Sequence, residues 1–268
     1  MSAPSLTGPY THLPLPAKEV HSIATGPGPP GTVWVTSTGG FLRSSDYGRS
    51  WTVENAGIAS PSTAWAVTDD RGVLFGADGD AIYTWDGAAW HQSLAMPAVM
   101  TLDIGPTGEL WASSMGPGVR VFDGRTWREA DAGLAHVHGA VQGTHVISVT
   151  PVSADLTLAA TMLEGVGVSR DQGRSWDHLS AGLPLGGVWR ILETAPRQLL
   201  AATEHGIYTY DLPDTAGAGP GWWLLVATLA VGSGLGLVAA ALVATGWRRR
   251  PVVAQAILAT RATNRHGP

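Results

Sequence analysis

No cysteine occurs among the 268 residues, so no disulfide braces the chain and its redox compartment is not readable. Acid is absent after Asp214: all 21 Asp and Glu precede residue 215, against 11 Lys and Arg in the same stretch. That stretch carries roughly ten negative charges, which argues against nucleic acid as a partner. The last 21 residues hold Arg248, Arg249, Arg250, Arg261 and Arg265 and no acid. Residues 1–20 show neither the basic n-region nor the apolar h-region of a secretory leader.

Charge is also missing from Leu224 to Gly246, a run of 23 residues. As a helix it would span roughly 34 Å, enough for a bilayer core of about 30 Å. Trp222, Trp223 and Trp247 stand at its ends, where an aromatic belt belongs. A transmembrane helix over 222–247 is therefore expected. Arg248 to Arg250 place a basic tail, 248–268, in the cytoplasm and the preceding domain outside. The absent leader stands against that topology, since a large domain would have to cross ahead of its own helix. Thr228, Gly232, Gly236, Ala240 and Ala244 form a stripe of small residues, so a helix-mediated homodimer through Gly232 and Gly236 is a further expectation.

What the chain does have is repetition. Ser44-Ser45-Asp46-Tyr47-Gly48-Arg49-Ser50-Trp51 returns as Ser169-Arg170-Asp171-Gln172-Gly173-Arg174-Ser175-Trp176, the pattern S-x-D-x-G-x-S-W. Each copy suits a hairpin turn: Asp accepts backbone N–H groups, Gly takes positive φ, Ser caps with its hydroxyl, and Trp buries a ring between neighbouring units. Shorter copies run over Thr84–Trp90 and Val121–Trp127, and a fifth start, Gly206–Asp211, stops before any Trp. The aligned Asp46, Asp86, Asp123, Asp171 and Asp211 lie 40, 37, 48 and 40 residues apart. That period suits units of four short strands.

The repeated octapeptide resembles the Asp-box, or BNR repeat, of sialidases, sortilin-type receptors and photosystem assembly factors. The resemblance covers residues 10–212 and implies an all-β fold: a five-bladed β-propeller of Asp-box repeats, followed by a linker (213–221) and one C-terminal transmembrane α-helix. Strand patterns agree with it, with apolar runs such as Val146–Val149 and Val188–Leu192 opening each unit. The fifth unit lacks an outer strand. Tyr10-Thr11-His12-Leu13-Pro14-Leu15-Pro16 reads like the outer strand of the second unit, Trp90–Pro97, so closure of the ring by an N-terminal strand is expected. A six-bladed count would require the long fourth unit to hold an extra half blade.

Sialidases of this class use three arginines, a Tyr nucleophile and an early Arg-Ile-Pro motif, and no such motif stands here. Arg43, Arg49, Arg125, Arg170 and Arg174 fall in or beside the repeat turns, and only Arg190 lies on an innermost strand. The turns joining second to third strands share one face with the crossovers between units. Thr38, Asp78, Asp80, Met115, Glu164, Glu204 and His205 fall there, and with Arg190 they form the candidate ligand face. Asp78-Gly79-Asp80 resembles the start of a calcium loop but lacks the later ligands. His136-Val137-His138 could supply two zinc ligands, with His145 or Asp131 as a third, or be an ordinary loop. Trp34, Trp65, Trp111 and Trp189 read as core between units.

No catalytic residue, metal or cofactor is assigned. The expected function is a non-catalytic, membrane-anchored module that recognises or assembles a protein or glycan. A surface-tethered glycan-acting hydrolase of the BNR class is the alternative; it would need two carboxylates about 5–10 Å apart.

Overall fold

The computed structural model describes residues 12–17, 19–58, 66–70, 72–134, 137–138, 141–142, 145–179, 182–184, 186–195, 197–212 and 248–249. The expected linker, membrane-spanning segment and small-residue stripe lie outside these residues. Among the described residues no helix is long and apolar enough to cross a membrane.

Strands follow one another as antiparallel meanders. The first sheet holds β1 (Val20–Thr25), β2 (Val33–Ser37), β3 (Gly40–Ser44) and β4 (Thr52–Val53). The second holds β5 (Ala66–Asp70), β6 (Val73–Ala77), β7 (Ala81–Trp85) and β8 (Trp90–Ala95). The third holds β9 (Val99–Ile104), β10 (Leu110–Ser114), β11 (Val119–Phe122) and β12 (Trp127–Glu129). A two-stranded ribbon, β13 (Val137–His138) with β14 (Val141–Gln142), occupies the long fourth unit. The fourth sheet follows, with β15 (Val146–Ser153), β16 (Leu156–Thr161), β17 (Val166–Ser169) and β18 (Asp177–His178). The fifth holds β19 (Val188–Ala195), β20 (Gln198–Thr203) and β21 (Gly206–Asp211), with β22 (Arg248–Arg249) at its edge.

First strands pack side by side in chain order: β1 on β5, β5 on β9, β9 on β15, β15 on β19. Four apolar clusters weld consecutive sheets. Trp34 and Phe41 meet Leu74, Trp85 and Trp90 between the first two sheets. Phe75 and Ile82 meet Leu102 and Leu110 at the next junction. Trp111 and Val119 then meet Val149 and Trp176. Leu158 and Val166 meet Ile191 and Tyr208 at the last.

No apolar cluster among the described residues joins the fifth sheet to the first, and residues 10–11 of the expected closing strand lie outside the described chain. Register shows what is missing. Phe41, Ile82, Val119 and Val166 are fully buried, whereas Ile207, at the same register in the fifth sheet, is 38 % exposed. Leu102, Val149 and Ile191 are buried by the preceding sheet, whereas Ile23, at their position in the first, is 69 % exposed. Among the described residues of the expected N-terminal strand, 12–16, none is in a strand. Pro14 and Pro16 bring no N–H to a ladder. β22 instead pairs with β21, Arg248 opposite Thr209 and Arg249 opposite Tyr208.

Candidate functional site

The two octapeptide turns are built alike. Ser44 Oγ accepts from Gly48 N at 2.8 Å and donates to Asp46 Oδ1 at 2.8 Å. Asp46 accepts from Ser50 N at 2.9 Å and Ser50 Oγ at 2.6 Å. Ser169, Asp171, Gly173 and Ser175 repeat this, with Gly173 N to Ser169 Oγ at 2.7 Å and Ser175 Oγ to Asp171 Oδ2 at 2.6 Å. The Ser50 hydroxyl and amide hold Asp46 at about 2, well below an ordinary carboxyl, and Ser175 does the same for Asp171. Tyr47 and Gln172 also take positive φ, at 63° and 62°, so two consecutive residues of each turn are left-handed. These carboxylates are committed to folding.

Indole donors then tie each sheet to the one before it. Trp90 Nε1 donates to Glu54 O at 2.7 Å, Trp127 Nε1 to Ser93 Oγ at 2.9 Å, and Trp176 Nε1 to Ala130 O at 2.7 Å. Trp51, in the first sheet, donates instead to Gly48 O of its own turn at 3.0 Å.

The candidate ligand face is where topology places it: Thr38, Asp78, Asp80, Met115, Glu164, Glu204 and His205 all fall at turns between second and third strands. Burial divides them. Asp78 is 3 % exposed and accepts from Asp80 N at 2.9 Å, Ala81 N at 3.0 Å and Tyr83 Oη at 3.2 Å. Burial, then the Asp78 charge, pushes the Tyr83 phenol up to about 12. In the other four sheets a hydroxyl does the same work. Ser37 accepts from Gly39 N, Ser114 from Gly116 N, Thr161 from Glu164 N and Thr203 from His205 N. Asp78 is thus a turn cap rather than a free ligand, a reading the aligned Ser37, Ser114, Thr161 and Thr203 already carried in the sequence.

Thr38, Asp80, Glu204 and His205 are exposed, while Met115 and Glu164 are half-buried. Glu164 stands 4.0 Å from His178 Nε2, and Glu204 3.6 Å from His205 Nδ1. Arg190 does not join this group. Its guanidinium turns to Asp103 of the third sheet, at 2.7 and 3.3 Å. Trp189 is 44 % exposed and not core, whereas Ile147, at the same bulged position of β15, is buried. Trp34 and Trp111 are core, and Trp65 is outside the described residues. For the zinc alternative, His136 and the His138 side chain lie outside the described residues, and Asp131 pairs with Arg120 at 3.3 Å. Among the described residues no three metal-ligating side chains come together.

A cleft that the sequence did not suggest opens at the opposite end, between third and fourth sheets. It holds about 300 Å³ and is lined by Thr107, Glu109, Asp123, Arg128 and Gln172. Burial opposes ionisation of Glu109, but bonds from Thr107 Oγ1 and Trp111 Nε1 outweigh it and hold the carboxyl below its usual range. Burial and then Arg174 lower the Arg128 guanidinium, which donates to Gln172 O at 2.5 Å.

Sequential four-stranded meanders with first strands packed side by side have solved counterparts. The chain matches the structure of YCF48 bound to D1 peptide with a TM-score of 0.53 and 17 % identity, over 76 % of this chain and 69 % of that one. The fold is a β-propeller. PorZ, a surface component of the type-IX secretion system of Porphyromonas gingivalis, matches with a TM-score of 0.52 and 16 % identity, over 74 % of this propeller chain and 34 % of PorZ. An ancestral GH74 enzyme matches at 0.57 and 14 % identity, over 75 % and 32 %. The chain thus spans about a third of the length of PorZ and of that enzyme. No family model and no curated protein matches it.

Proposed function

We propose that the protein is a membrane-anchored, non-catalytic Asp-box propeller that recognises a protein partner through the turns between second and third strands. The observation that carries this reading is the state of Asp78. A carboxylate only 3 % exposed that accepts from two amides and a phenol holds a turn rigid and is withdrawn from solvent. Around that rigid rim, Thr38, Asp80, Glu204 and His205 present short polar side chains to solvent, a surface suited to contact rather than turnover. The YCF48 structure with its D1 peptide supports a protein as the kind of ligand. The charge-free run from Leu224, with Trp222, Trp223 and Trp247 at its ends, supports the anchor.

A glycan-acting hydrolase is the second reading, favoured by the likeness to GH74 and by Glu109 and Asp123 in one cleft. The two separate experimentally. A photoreactive residue at Thr38, Asp80 or His205 of the full chain in native membranes should form a discrete crosslinked species that one at Arg125 does not. Turnover of chromogenic glycosides, abolished by Glu109→Gln, would establish the hydrolase and sink the recognition module.

A further inference from the structure

Trp189 is out of place for an indole of this chain. Trp51, Trp90, Trp111, Trp127 and Trp176 each give their ring N–H to an acceptor inside the fold, and Trp34 is fully buried. Trp189 stands 44 % exposed at a bulge of β19, where β15 buries Ile147. An exposed indole held on a strand offers a large flat contact surface and has few rotamers to lose on binding.

Its place is the candidate ligand face, since β19 begins beside the turn from β20 to β21, with Val188 opposite Thr203. Two glycines build the surroundings. A Cβ on Gly187 would lie 3.7 Å from Trp189 Cζ2 and 3.3 Å from Met162 O, and one on Gly186 would collide with the Glu204 carboxylate. Glu204 N also donates to Gly187 O at 3.2 Å. The Glu204 carboxylate, the Trp189 ring and the turn that starts at Met162 therefore meet around two residues without side chains. Leu163, next in that turn, is 43 % exposed. Aromatic and aliphatic surface thus lies beside a carboxylate where the fourth sheet joins the fifth.

Charge selects the occupant. The turns between second and third strands, 38–39, 78–80, 115–118, 162–165 and 204–205, contain Asp78, Asp80, Glu164 and Glu204 and neither Lys nor Arg. The crossover from fourth to fifth sheet, 179–187, has no charged residue. Arg190, next along the strand from Trp189, commits its guanidinium to Asp103 at 2.7 and 3.3 Å. We propose that Trp189, Glu204 and Leu163 form a docking site for an extended protein segment that carries an arginine beside an apolar residue. The guanidinium stacks on the indole and donates to the Glu204 carboxylate, while the apolar neighbour covers Leu163. Arginine fits better than lysine because its planar, weakly hydrated head can lie on a ring and bond a carboxylate at its edge at the same time. This inference rests on the partner-recognition reading and adds the chemistry of the partner.

The test titrates the full chain, in nanodiscs of zwitterionic lipid, with fluorescein-labelled Gly-Ser peptides carrying a central Leu-Arg-Leu, Leu-Gln-Leu or Ser-Arg-Ser. By anisotropy the Leu-Arg-Leu peptide should bind about tenfold tighter than Leu-Gln-Leu, a preference that Glu204→Gln and Trp189→Leu should each cut to about twofold. Both substitutions are at exposed positions and should leave the thermal melt unchanged. The site is overturned if no peptide binds, if arginine and glutamine peptides bind alike, or if Ser-Arg-Ser binds as tightly as Leu-Arg-Leu. A preference untouched by Trp189→Leu would overturn it as well. Photocrosslinking in native membranes separates this from the wider reading. A partner crosslinked from His205, together with indifference among the peptides, removes the arginine site alone. No crosslink from Thr38, Asp80 or His205 removes the recognition reading itself.

Discussion

Arg190 on β19 and Asp103 on β9 form a two-point ion pair, Nη2 to Oδ1 at 2.7 Å, that bypasses the fourth sheet lying between theirs. Both side chains keep water contact, so the pair is worth about 0.5–1 kcal/mol rather than the larger figure of a buried bridge. A double-mutant cycle with Arg190→Met and Asp103→Asn in urea unfolding should return a coupling of that size. A coupling indistinguishable from zero would mean that the fifth sheet is held by its contacts with the fourth, the apolar cluster and the Thr150 hydroxyl donating to Ile191 O.

Ser169 is 1 % exposed and its hydroxyl accepts from Gly173 N at 2.7 Å inside the turn. Ser169→Ala leaves that buried amide without its acceptor and should cost about 1–3 kcal/mol. Ser175→Ala, at an exposed position where the Asp171 carboxylate can turn to water, should cost less. Equal losses in thermal melts would contradict the division of labour seen in the turn.

Asp46 and Asp171 are both held at about 2 when folded, first by the hydroxyls of Ser50 and Ser175. An unfolded Asp titrates near 3.9. A depressed folded pKa contributes stability above the unfolded value, and that stability drains as pH falls from about 4 toward 2. The melting temperature should therefore decline steeply over that window, and the Asp46→Asn/Asp171→Asn variant should show a shallower decline. Parallel acid profiles would place the acid-sensitive groups elsewhere.

Gly57, at φ +87°, ends the first sheet's turn against the backbone of Trp90; a Cβ there would collide with the Trp90 carbonyl. Gly72 has nearly the same φ, +84°, with nothing within 4 Å of its Cβ position. Gly72→Ala should cost about 1 kcal/mol, the strain of a left-handed alanine alone. Gly57→Ala adds a backbone collision and should cost about 2–4 kcal/mol. Equal costs would show that the junction of first and second sheets yields freely.

Much of this was legible beforehand because it is local. The spacing of Asp46, Asp86, Asp123, Asp171 and Asp211 reports where each hairpin turns, and a turn is decided by four or five adjacent residues. The capping role of Asp78 was legible in the same way, through Ser37, Ser114, Thr161 and Thr203, but only once the strands are paired in register. Trp189 was misread as core because the strand pattern does not report what packs against it: Ile147 holds the same place in β15 and is buried. The cleft beside Glu109 has no linear signal: Thr107 and Gln172 meet there across 65 residues of chain.

The sequence by itself determined the repeat, the strand order within each four-stranded unit and the chemistry of the two octapeptide turns, since each rests on contacts within about forty residues. Tertiary structure alone decided which side chains those turns leave exposed and where Arg190 points. Those outcomes depend on how sheets stack, and stacking brings together residues far apart in the chain, as it does Arg190 and Asp103.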